Sequence, residues 1–212
     1  MNATSPSRPT PPRRSSAHAP SRVRLDGTCP DGRSRLSADV VLVGGVPGAG
    51  KSTAIAAVAL DVPDLVVLDP DALRAWFRGH LPAAVPYRWY RPLCHLLHAL
   101  RVVAVLLVGP RDTRRVIVHD PSTRPRRLRL LHALVVARGW RPALCYVDAA
   151  PLEALAGQHR RGRVVDSRSF ARHCSRWAGL QGQAGRGEVA GWPTLVVTRG
   201  DAVAGLRGLL LR

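Results

Sequence analysis

The chain has 212 residues, 46% of them hydrophobic and 22% charged, which is room for one sizeable α/β core and too apolar for a wholly disordered chain. Its formal net charge is +18, with 32 Lys and Arg against 14 Asp and Glu, and its four cysteines (Cys29, Cys94, Cys145, Cys174) form no C-x-x-C pair, so no zinc site or disulfide framework follows from spacing. The longest apolar run, Val102 to Val108, falls far short of the ~20 residues of a membrane span, so no membrane partner is expected.

Residues 1–38 are rich in Pro, Ser, Arg and Thr and lack apolar periodicity, the composition of a disordered basic tail. Residues 39–212 are expected to form one globular domain. The reduced-thiol reading of the cysteines and the lack of an apolar signal stretch point to a cytoplasmic protein. The basic balance suits a nucleic-acid backbone as partner. It equally suits GC-rich coding, because Arg, Ala, Gly and Pro are all abundant while Lys51 is the sole lysine.

In chain order, Asp39-Val40-Val41-Leu42-Val43-Gly44 reads as a buried parallel strand. It runs into Gly45-Val46-Pro47-Gly48-Ala49-Gly50-Lys51-Ser52-Thr53, a complete G-x-x-x-x-G-K-[ST] motif, and then into an Ala-rich helix from Ser52 to Leu60. Strand, glycine loop and helix aim backbone N–H groups and a helix N-terminus at an anion. That the one lysine stands here has a chemical reason. A compact ammonium on a flexible stem follows the β- and γ-phosphates where a planar guanidinium does not fit. The motif predicts a nucleoside triphosphate site.

Asp64 to Asp69 reads as a second strand, followed by a helix from about Asp71 with Leu73, Trp76 and Phe77. Tyr87 to Val108 has helical apolar spacing with Arg88, Arg91 and Arg101 interspersed. Arg115 to Asp120 is the third strand, Arg124 to Arg138 a cationic helix stopped by Gly139, and Pro142 to Asp148 the fourth strand. Pro151 to His159 opens a short helix with proline at its start, and a helix over about Ser169 to Leu180 follows an arginine-rich segment. A Gly-rich loop, a fifth strand over Thr194 to Thr198 and a terminal helix complete the pattern. Repeated βαβ units predict a three-layer α/β/α domain with a mainly parallel five-stranded sheet. Ligands in such sheets lie at the carboxyl ends of the strands, where Gly45–Thr53, Asp69, Asp71 and Asp120 fall.

Asp71 at the end of the second strand suits a group that orients or deprotonates an acceptor hydroxyl, and Arg74, one turn on, an acceptor phosphate or carboxylate. The same two residues also suit an N-cap and a solvated helix position. The run Gln158-His159-Arg160-Arg161-Gly162-Arg163 suits a lid whose cations close over a triphosphate, or a solvated surface. Arg124, Arg126, Arg127 and Arg129 could hold a backbone, and Trp76, Tyr87, Trp89 and Tyr90 could stack a base or belong to the core. His95 and His98 share a helix face without further metal ligands.

The P-loop, then Asp69-Pro70-Asp71-Ala72-Leu73-Arg74, then Arg160 to Val165 with Ser169-Phe170-Ala171-Arg172-His173, resemble the P-loop kinases related to polynucleotide kinase and zeta toxin, a group often labelled AAA-type ATP-binding. The resemblance spans about residues 39–200. It implies ATP and Mg²⁺ as cofactors, Lys51 and Ser52 on the phosphates and metal, Asp71 as general base, Arg74 on the acceptor, and Arg160 and Arg163 on the phosphates. It also implies Asp120 as an acid outer-sphere to Mg²⁺. Pro70 and the Pro121-Ser122 pair before Thr123 depart from the family pattern. The resulting expectation is a kinase moving the ATP γ-phosphate to a polynucleotide 5′-hydroxyl or a small sugar or nucleotide. The alternative is an ATPase switch without a small acceptor.

Overall fold

The computed structural model describes residues 37–108, 115–162 and 164–211. The expected disordered tail lies, but for Ser37 and Ala38, outside the described residues, as do Cys29 and Arg163. Ala38 is already part of the core, with its N–H donating to Leu209 O.

The sheet is built from β1 (Val40–Gly44), β2 (Val66–Leu68), β3 (Val116–His119), β4 (Pro142–Asp148), β5 (Glu188–Val189) and β6 (Trp192–Thr198), in the order β2-β3-β1-β4-β6-β5. β1 is central and every one of its residues is buried, which is why it reads as an unbroken apolar run. The sheet therefore has six strands where five are expected. The extra one is two residues long and antiparallel to β6. Ala190 and Gly191, both at positive φ, form a two-residue turn that pairs Val189 with Trp192. An alanine in that conformation is what hid the turn inside an apparent glycine loop.

The helices are α1 (Lys51–Ala59), α2 (Pro70–His80), α3 (Tyr87–Val108), α4 (Pro125–Ala137), α5 (Pro151–Arg160), α6 (Ser167–Gly185) and α7 (Ala202–Leu210). The chain moves outward from β1 to β2 and then back through β3 to β4. With right-handed crossovers, α1 and the α3–α4 pair fall on opposite faces. α7 packs on α1, and Arg207 pairs with Asp61. α6 is fastened to β4 by the Tyr146–Trp177 stack and by Trp177 Nε1 donating to Asp148 Oδ1 at 2.9 Å. Asp166 caps α6, accepting from Ser169 N at 2.8 Å.

α3 is long and apolar enough, by length and composition alone, to cross a membrane, with mean hydropathy 1.6. Its arginines interrupt the apolar run in the sequence but not the helix. Cys94, His98, Val102 and Leu106 form its buried row, while Trp89, Leu93, Leu96, Leu100 and Leu107 are exposed.

Candidate functional site

The glycine loop hangs from the buried end of β1. A Cβ at Gly44 would come within 2.7 Å of the Tyr146 ring, so the strand must leave the sheet without a side chain. Gly48 and Gly50 hold φ values of 88° and 105°, and a Cβ on Gly48 would stand 2.0 Å from the Ala154 carbonyl oxygen. The loop thus folds tightly against α5 and starts α1 at Lys51, its helix N-terminus turned toward the loop.

Lys51 is buried, and its Nζ donates to Gly45 O at 2.7 Å and Val46 O at 3.0 Å. Burial pushes its pKa down from 10.5 to about 8, and Arg161 pushes the same way. Asp120, Asp69 and Asp71 oppose the fall. The sequence-predicted lysine and the three acids are therefore brought into one electrostatic site, at the carboxyl ends of β1, β2 and β3. A desolvated ammonium among backbone carbonyls gains strongly from an incoming anion.

The acids differ in their work. Asp69 caps α2: its Oδ1 accepts from Asp71 N at 2.8 Å and lies 3.0 Å from His119 Nδ1. Burial raises its pKa, but the close His119 ring, with the Asp71 N–H, brings it below the usual carboxylate value. The N-cap is thus Asp69, and Asp71 occupies the first turn of α2. Asp120 is buried, with Oδ1 accepting from Ser122 N at 2.7 Å and Oδ2 2.8 Å from Arg127 Nη2. Behind them lies His98, buried, with neither ring nitrogen hydrogen-bonded. Burial holds its pKa down, Asp120 and Asp69 opposing, Arg127 and His119 reinforcing.

The cations fall less neatly along the predicted lines. Arg74 lays its guanidinium 4.2 Å over the Tyr87 ring, and its buried Nε has no hydrogen-bond partner. Arg160 is exposed at the last position of α5, and Arg163 lies outside the described residues. The neighbouring Arg161 reaches the loop helix, donating to Thr53 Oγ1 at 3.0 Å. Ser52 stands in the first turn of α1, half-buried. Arg124, Arg126, Arg127 and Arg129 of the α4 start join Arg176 of α6 around a cavity of 670 Å³.

Two further residues serve the loop, Gln158, which sequence reasoning placed only in the lid run, and Arg199, which it did not single out. Gln158 is buried, donates from Nε2 to Pro47 O at 3.1 Å and accepts from Val165 N at 2.7 Å, so one amide joins the loop to the segment after the arginine run. Arg199 donates from Nη2 to Gly48 O at 2.6 Å and from Nε to Ala49 O at 3.2 Å. Its place just beyond β6, at the ligand-bearing edge of the sheet, was the one available signal.

Mainly parallel sheet, glycine loop and buried lysine at the head of α1 together define a P-loop NTPase fold. The AAA domain family model matches residues 40–178, well over half of the chain, and the chain belongs to that family. No curated protein matches the sequence. Among solved structures the chain is similar to the tunicamycin resistance protein of Deinococcus radiodurans, with TM-score 0.51, 17% identity, and coverage of 81% of this chain and 96% of that one. It is similar to a gluconokinase from Sinorhizobium meliloti, with TM-score 0.50, 20% identity, and coverage of 82% and 93%. It is also similar to a chain of the PezAT chromosomal toxin–antitoxin system of Streptococcus pneumoniae, with TM-score 0.54, 16% identity, and coverage of 79% and 71%. At these identities the likeness concerns the fold.

Proposed function

We propose that this chain is an ATP-dependent kinase that transfers the γ-phosphate to an acceptor hydroxyl. What carries the reading is the gathering of Lys51, Asp69, Asp71 and Asp120 beside a glycine loop at one edge of the sheet. A nucleotide's phosphates would displace the Gly45 and Val46 carbonyls from Lys51, stabilising the charge that burial disfavours. Asp71, at the head of α2, would accept the acceptor hydroxyl's proton as its oxygen attacks phosphorus and the β,γ-bridging oxygen leaves with ADP. Asp69 is tied to His119 and to the α2 backbone, and the role of base is given to Asp71 by its place in the Asp71-Ala72-Leu73-Arg74 element.

Among the described residues no group of three or more His, Cys, Asp or Glu is placed to hold a metal. Mg²⁺ needs no such cage, since it takes one or two protein oxygens and otherwise waters and phosphate oxygens. The Ser52 hydroxyl fits it directly. The Asp120 oxygens are taken by Ser122 N and Arg127, which fits an outer-sphere place. Bound there, Mg²⁺ supplies the charge that neutralises the β- and γ-phosphates.

The acceptor remains a polynucleotide 5′-hydroxyl or a small sugar or nucleotide. The arginine-lined cavity beside Asp120 favours one that carries phosphate, since guanidinium forks suit phosphate oxygens. The test is transfer of γ-labelled phosphate from ATP with Mg²⁺, wild type beside Lys51→Ala. Acceptors would be a 5′-hydroxyl oligonucleotide and a panel of nucleosides and sugars. Labelled acceptor, lost in the variant, is the expected result. Label released only as free phosphate would replace the kinase reading with that of an ATPase switch.

A further inference from the structure

We propose that Arg199 is a positioning residue for the nucleotide: its guanidinium clamps the outer carbonyls of the glycine loop so that the Gly50 N–H stays aimed at phosphate. The inference rests on the nucleotide-binding reading of residues 45–53 and adds to it a residue outside the motif.

Arg199 lies on the turn between β6 and α7, remote in sequence from the loop it touches. Its Nη2 donates to Gly48 O at 2.6 Å and Nε to Ala49 O at 3.2 Å, so one planar fork holds two successive carbonyls. Nη2 also reaches Glu153 O at 3.2 Å, on the first turn of α5. In a trans peptide the N–H points opposite to its carbonyl. Holding Ala49 O outward therefore turns the Gly50 N–H to the other side, the side of α1's N-terminus and Lys51. Gly48 and Gly50 have positive φ and no side chain, and the internal bond from Ala49 N–H to Val46 O at 3.1 Å leaves the Ala49 carbonyl unheld by the loop itself. A donor anchored on another strand holds it. A cationic donor also polarises the Ala49–Gly50 amide it binds, making the Gly50 N–H a better partner for an anion.

The surroundings are shaped for this contact. A Cβ on Gly50 would meet Arg199 Cγ at 3.2 Å. A Cβ on Gly157 would stand 2.3 Å from Gly48 O and 3.1 Å from Arg199 Nη2. α5 thus approaches closely enough to sandwich the loop only because position 157 is bare. Pro47 O, next in line, is held by Gln158, so the outward carbonyls of residues 47, 48 and 49 are all bonded from outside the loop. Lysine would not substitute: a compact ammonium carries the charge but cannot bridge two carbonyls in one plane.

The experiment compares wild type, Lys51→Ala, Arg199→Met and Arg199→Lys in the full chain. ATP–Mg²⁺ affinity is measured by calorimetric titration, and thermal midpoints are taken without nucleotide. Arg199→Met should weaken ATP binding about 10- to 100-fold, the effect of losing charge-assisted hydrogen bonds behind the ligand-facing backbone. The Lys variant should fall between Met and wild type. Wild-type affinity in a folded Arg199→Met, or in Arg199→Lys, would overturn the clamp. So would a lowered midpoint with unchanged affinity, since that marks a merely structural contact. Should the Met variant not fold, the Lys variant decides alone. If wild type binds no ATP, or Lys51→Ala binds it equally well, the nucleotide reading itself fails, a result distinct from the others.

Discussion

At the scale of single residues, Lys51 makes the site sensitive to pH in a definite direction. Its pKa of about 8 lies below the ordinary 10.5 because the ammonium is desolvated. Folding therefore carries the burial penalty at low pH and becomes more favourable as pH rises from about 8 toward 10.5, where the unfolded chain still holds the proton. Nucleotide binding runs the other way, because phosphate selects the protonated form. ATP affinity should be flat below pH 8 and fall about tenfold per pH unit above it, and Lys51→Met should lose that slope along with most of the affinity. Asp71→Asn separates binding from chemistry. Transfer should drop about 10²- to 10⁴-fold, the usual worth of a general base, while ATP titrates as in wild type. Unchanged transfer would remove Asp71 from the reaction.

At the scale of elements, the fold is held by close approaches that tolerate no side chain and by helices with one buried row. Gly157 lets α5 touch the glycine loop, with Gly48 O only 2.3 Å from where a Cβ would stand. Backbone cannot swing aside as a flexible side chain does, so Gly157→Ala should displace the loop and reduce ATP affinity at least tenfold, although alanine is intrinsically the better helix former. α3 offers the contrasting case. Leu106 is fully buried and Leu100, earlier on the same helix, is 56% exposed. Chemical denaturation should show Leu106→Ala costing about 2–5 kcal/mol, whereas Leu100→Lys changes stability by less than about 0.5 kcal/mol. Equal effects would mean that the exposed row is covered in solution.

At the scale of the whole molecule, the distribution of charge matters more than its sum. The formal charge of +18 is compatible with a nucleic-acid partner but does not locate one. The fold brings Arg124, Arg126, Arg127, Arg129 and Arg176, from two helices far apart in sequence, around one cavity next to Asp120. If the acceptor is a polynucleotide, its affinity should fall steeply with salt, and replacing Arg126 or Arg129 should lower the slope of log K against log[salt] by about 1 each. A salt-independent acceptor affinity would argue for a small uncharged sugar. Trp177, which stacks on Tyr146 and bonds Asp148, holds α6 and hence Arg176 in place.

The sequence by itself determined the architecture and the phosphate site, because both rest on local patterns. Apolar runs of strand length made β1, β3 and β4 legible within a residue or two. Glycines at fixed offsets before Lys51 encode a backbone path that needs no distant partner. Three features were left to the tertiary structure. The fifth strand in chain order, Glu188–Val189, exists only because β6 lies beside it, and its turn places an alanine where glycine would have signalled it. That Arg161 reaches Thr53 at the head of α1 depends on the exit angle of α5. Arg199 and Gln158 serve the loop from more than a hundred residues away. Contacts of that kind are set by how strands order within the sheet, and no local spacing records them.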